Sequence, residues 1–169
     1  GSIILLGHMG DLLFESRYAN NSSSYDKQLM ILKGKILKTG GYELACDLWE
    51  CWGMEESFDS YINDRLDNLY SKINIENPSA RLRAFKSLYW VPRWSSVNLS
   101  LFQELGELLL PYYDDEMCKF ICTVPEKYLQ GRKIQIEYIK RYCPECAKIP
   151  WQTYSPLNLY QYHWFNNPF

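Results

Sequence analysis

Apolar residues recur along most of this chain at intervals of three and four. The exception stands near the start: Ile3-Ile4-Leu5-Leu6 is an unbroken short run and predicts a buried strand over residues 3–6. A glycine-bounded turn follows, Gly7-His8-Met9-Gly10-Asp11, and then a second apolar run, Leu12-Leu13-Phe14. Beyond the polar loop Asn20-Asn21-Ser22-Ser23-Ser24, residues Leu29, Met30, Leu32, Ile36 and Leu37 fall at helical spacing. Ser24 or Asp26 can cap that helix, and Gly40-Gly41 is its expected stop. A second helix through "YELACDLWECWG" ends at Gly53. Phe58, Ile62, Leu66, Leu69 and Ile73 then mark the clearest amphipathic helix, acidic at its start. Leu82, Phe85, Leu88 and Tyr89 place another over residues 79–90, with Pro92 ending it.

Three further segments read as helices: "NLSLFQELGELLLP", "DDEMCKFICTVP" and "GRKIQIEYIKRYC". The Ile-Gln-Ile alternation in the last also permits a strand. After Pro150 the chain is aromatic and loop-like. The pattern predicts a mainly α protein, with one N-terminal strand followed by a helical bundle of about seven or eight helices. No repeat or linker divides it, so residues 1–169 read as a single domain with an aromatic C-terminal tail over residues 151–169. A lone strand leaves backbone groups unpaired on both edges, which favours pairing with something else.

Composition adds little to the fold and removes some functions. The 169 residues suffice for one real core. Aromatics are abundant at 16%, and each buries much area. The net charge is −2 with both signs scattered, so there is no basic footprint for nucleic acid. Lys33, Lys35 and Lys38 read as a solvated helix face. No run of about 18 apolar residues exists, which argues against a membrane partner. Six cysteines, Cys46, Cys51, Cys118, Cys122, Cys143 and Cys146, read as reduced core residues in a cytoplasmic setting. Gly1-Ser2 reads as a cloning scar, so that a natural protein extending upstream is an expectation of the sequence.

Four motifs carry candidate chemistry. Gly7 and Gly10 let the backbone approach a phosphate, with His8 between them, and Asp11 is a candidate magnesium ligand. The same stretch reads equally as a plain strand-to-helix turn with Asp11 as N-cap. Asp114 and Asp115 read first as helix-capping acids. Gly131-Arg132-Lys133 reads as a solvated helix start or an anion site. Cys143-Pro144-Glu145-Cys146 has the spacing of a zinc half-site or a redox pair, though structural cysteines are the plainer reading.

In order, "GHMGDLLFES", "PYYDDEMCKFICTVPEKYLQGRKIQ" and "PECAKIPWQTY" resemble the C-terminal half of asparagine synthetase-like proteins. That family reads roughly SGxGGDELFGGY, then PFLD, then a Gly-Lys segment, then LP and a lysine-containing loop. Here Gly7 to Asp11 matches the first motif, Pro111 to Asp114 the second and Gly131 to Lys133 the third, while Cys143-Pro144 replaces LP.

The resemblance implies that the strand is left from a doubly wound parallel α/β sheet. It implies ATP and Mg2+ in the parent, adenylation of a carboxylate and attack by an amine. Gly7, His8, Gly10, Arg132 and Lys133 would face the nucleotide and pyrophosphate, and Asp11 would ligate the metal. The chain departs from the family in lacking SGGxDS, the earlier strands and a glutaminase domain. Leu12 replaces the acid after the family aspartate, Glu15-Ser16 its Gly-Gly, and Gln152 falls near the loop lysine. The resulting expectation is a C-terminal fragment of an amide-forming ligase, inactive alone, with no cofactor firmly bound. It would associate with itself or with a missing N-terminal half. The alternatives are a non-catalytic helical interaction module docking through its aromatic tail, and a zinc protein through Cys143 and Cys146.

Overall fold

The computed structural model describes residues 2–14, 23–38 and 40–161. Glu15-Ser16, Asn20 to Ser22, and the tail from Tyr162 onward with His163 lie outside the described residues. Among the described residues the protein is mainly helical with one two-stranded parallel sheet.

Strand β1 (Ile3–Leu5) lies beside β2 (Glu107–Leu109), with Ile4 opposite Leu108. The second strand corrects the expected helix there: α6 (Val91–Gln103) stops short, and Gly106 turns the chain into an extended run. Gly106 is needed at that turn, because a Cβ would overlap the carbonyl oxygen of Ser2, to which Glu107 N–H donates at 2.9 Å. Against expectation β1 is not buried. Ile3 and Leu5 are 65% and 69% exposed, because β1 has one neighbouring strand and no described element covers its outer face.

Between the strands the helices follow local signals. Ser24 Oγ caps α2 (Tyr25–Ile36) by accepting from Lys27 N, and Ser57 caps α4 (Phe58–Ser71) by accepting from Ser60 N. Helix α2 ends before the expected glycine stop. Gly40, at φ 79°, instead starts α3 (Gly41–Cys51), and Gly53, at φ 65°, closes it as expected. Asn77 caps α5 (Pro78–Phe85), with Pro78 in the first turn. Pro92 does not end the helical path. A wide π turn over Lys86–Trp90 absorbs the proline's missing donor, and α6 carries on. The expected lysine face is partly paired: Lys33 is half-buried and bridges to Asp59.

Two apolar clusters hold these elements. The first joins Leu32 of α2, Leu66 and Tyr70 of α4, and Leu82 and Phe85 of α5. The second joins Ile121 of α7 (Asp115–Thr123) and Leu129 of α8 (Glu126–Leu129). The short helix α1 (Gly10–Leu13) links them, with Leu12 in the first and Leu13 and Phe14 in the second. The turn after β1 is thereby anchored on both sides.

Tyr70 is fully buried, its hydroxyl donates to Gln28 Oε1, and the Arg81 guanidinium sits 4.3 Å from its ring centre. Burial pushes the Tyr70 phenol from its usual 10.0 to about 12, with Arg81 acting in the opposite direction. Its unfolded form therefore ionises first. Stability should be level below about pH 10 and fall as pH rises toward 12. Tyr42 adds to the same fall, its phenol raised to about 12 chiefly by its hydrogen bond to Asp59. Tyr70→Phe should lose about 1–3 kcal/mol by stranding buried Gln28, and should flatten part of the alkaline fall. Urea midpoints measured from about pH 8 to about pH 12 check both expectations.

Candidate functional site

Two parallel neighbours send their following turns out at the same end of the sheet, where ligands of open α/β sheets collect. Beyond β1, Leu6 N–H donates to Leu109 O at 3.0 Å, and Gly10 N–H closes the turn on Gly7 O at 3.2 Å. Met9 holds a left-handed conformation, φ 74°. Beyond β2 comes a 3₁₀ turn over Pro111–Tyr113. The two turns touch: a Cβ on Gly10 would lie 2.7 Å from the Tyr112 ring. Glycine is needed there for close approach. Phe14 meets the same ring edge-on at 5.9 Å. Tyr112, which the motif reading left without a role, is the side chain that couples the two turns.

Met9, and not Asp11, occupies the N-cap of α1. Asp11 is in the first helical turn and exposed, while Leu12 and Leu13 beside it are buried. No described residue pairs with its carboxylate. Asp114 is a cap, accepting from Glu116 N at 3.0 Å and Met117 N at 3.1 Å.

The third motif is held apart from the two turns. Gly131 and Arg132 are both left-handed, φ 66° and 60°. For arginine this conformation costs on the order of 1–3 kcal/mol, and such strain gathers at functional sites. Lys133 opens α9 (Lys133–Tyr142), a helix and not a strand, and is exposed. Ile134 packs against the cluster that holds Leu13, Phe14 and Tyr112. Met9 and Tyr112, from the first two segments, and Ile134, the residue after the third, pack against one apolar cluster. Arg132 faces a separate groove of about 360 Å³ with Gln135, Cys146, Trp151 and Gln152.

Magnesium commonly binds through one or two carboxylates plus substrate phosphates. Asp11 supplies one such carboxylate. Among the described residues no group of three or more His, Cys, Asp and Glu side chains could cage a metal. Among the described residues Asp11 is thus not part of a protein-only cage.

The cysteines depart from the expected reduced core. Cys143 and Cys146 are joined in a disulfide, which leaves no thiolate for zinc. Cys51 and Cys122 are exposed, and Cys46 and Cys118 are half-buried. Burial pushes the Cys118 thiol up, so it is a poor nucleophile.

The chain matches no protein-family model, no curated protein and no solved structure. Among the described residues no helix is long and apolar enough to cross a membrane.

Proposed function

We propose that this chain carries the C-terminal part of the synthetase domain of an asparagine synthetase-like, ATP-dependent amide-forming ligase, acting in the cytoplasm. The observation that carries the reading is the seating of Tyr112 on Gly10, which joins two of the resembling motifs at the carboxyl ends of adjacent parallel strands. The exposed Ile3 and Leu5 also support it, because parallel sheets are ordinarily covered on both faces.

In this reading ATP with magnesium supplies activation of a carboxylate for attack by an amine. The Gly7–Gly10 backbone, with His8, faces the pyrophosphate. Asp11 shares the magnesium, and Arg132 or Lys133 offsets phosphate charge. Gln152 is neutral and cannot supply the charge stabilisation of a lysine. The 169 residues hold no SGGxDS loop, so they provide half of such a site and are inactive alone.

A non-catalytic helical interaction module is the second reading. Trp94, Val97 and Leu101, exposed at helical spacing along α6, favour it. Reading the gene in frame upstream of residue 3 separates the two. An SGGxDS segment is the expected result, and a start codon directly before Ile3 would favour the module.

A further inference from the structure

The ligase reading leaves Cys143-Pro144-Glu145-Cys146 unused. The pair is bonded, with Cα atoms 5.4 Å apart, inside the disulfide range. Three features distinguish this bridge from a structural staple. It encloses only Pro144 and Glu145, and a bridge constrains the unfolded chain less as its loop shortens. Its Cys146 end is exposed to an attacking thiolate. Cys46, Cys51, Cys118 and Cys122 are unpaired, whereas folds that depend on disulfides generally pair their cysteines.

The surroundings give the bridge a consequence. Cys146 forms part of the groove wall with Arg132, Trp151 and Gln152. The next residue, Ala147, is fully buried, and its carbonyl accepts from Leu159 N at 3.1 Å. That bond fastens α10 (Pro144–Lys148) to the segment after it independently of the disulfide. The helix thus has a tether that does not depend on the bridge, while Cys146 itself lies in the groove wall.

We infer that Cys143 and Cys146 form a reversible thiol–disulfide exchange site whose state sets the wall of the Arg132–Gln152 groove. The co-reactant is a small thiol of the glutathione class. Its thiolate attacks Cys146 Sγ, the Sγ–Sγ bond breaks, and the electron pair leaves on Cys143 Sγ, which takes up a proton. A second thiolate attacks the small-molecule sulphur of the mixed disulfide, releasing Cys146 as a thiol. Two small thiols are oxidised to one disulfide, and the protein bridge is reduced to two thiols. Neither Asp11 nor a nucleotide takes part, so this inference stands or falls apart from the ligase reading.

The test equilibrates the whole chain with graded mixtures of reduced and oxidised glutathione, followed by acid quench, alkylation and mass spectrometry. Cys143 and Cys146 should become labelled together at one intermediate mixture. Cys143→Ser, checked for native circular dichroism, should carry glutathione on Cys146 in the oxidising mixtures. Amide exchange at Trp151 and Gln152 should quicken on reduction. A bridge that survives reduced glutathione and opens only to a phosphine would be a staple and would overturn the inference. Full labelling of both cysteines in oxidised glutathione alone would do the same. Unchanged amide exchange between the two states would remove the link to the groove.

Discussion

Leu82→Ala is expected to lower the unfolding free energy by about 2–5 kcal/mol, the range for emptying a packed leucine site. Leu82 is fully buried and lies in the cluster with Leu32, Leu66, Tyr70 and Phe85, so three helices, α2, α4 and α5, lose contacts at once. Total stabilities of single domains run to about 5–15 kcal/mol, so this one truncation removes a large share. Leu88, which is exposed, supplies the comparison. The same substitution there should stay within about 0.5 kcal/mol. Urea unfolding of both variants reads the difference as a displaced midpoint at unchanged slope. Equal losses at the two positions would contradict the core described above.

Gly106→Ala is expected to act on the sheet. The added methyl falls on the Ser2 carbonyl oxygen, which is backbone and cannot rotate aside. The strands must part, weakening the bond from Glu107 N to Ser2 O and then that from Leu6 N to Leu109 O. Overpacking of this kind costs about 1–3 kcal/mol. Its local signature is more telling: the Leu6 and Glu107 amides should lose protection from hydrogen exchange. Gly7→Ala is the control, because nothing lies within 4 Å of a Cβ there. Full protection in Gly106→Ala would mean that the β1–β2 pairing does not depend on the close approach at Gly106.

Helices with strong caps and sustained period were legible in the sequence. Ser24, Gly53 and the Phe58-to-Ile73 stripe read directly into the start of α2, the end of α3 and α4. The errors came where tertiary structure overrode a local sign. Pro92 reads as a stop, but a wide π turn carries the chain past it. Glu107-Leu108-Leu109 follows a helical run and continues its apolar pattern, although Gly106 and Pro111 bracket it as they would a short strand. Missing β2 hid the partner of β1. It also hid why the Gly7 and Pro111 turns meet, since only pairing across about a hundred residues brings them together, and such long-range pairing leaves no periodic trace. The coupling role of Tyr112 has no local signal for the same reason: it exists only against Gly10.

The ligase reading is tested most directly by ATP–pyrophosphate exchange, run on the 169-residue chain alone and on the chain extended by its upstream coding sequence. No exchange is predicted for the chain alone. The extended protein should exchange, and Asp11→Asn should abolish the signal while circular dichroism stays native. Exchange by the 169 residues alone, or exchange in the extended protein that is indifferent to Asp11→Asn, would contradict the account.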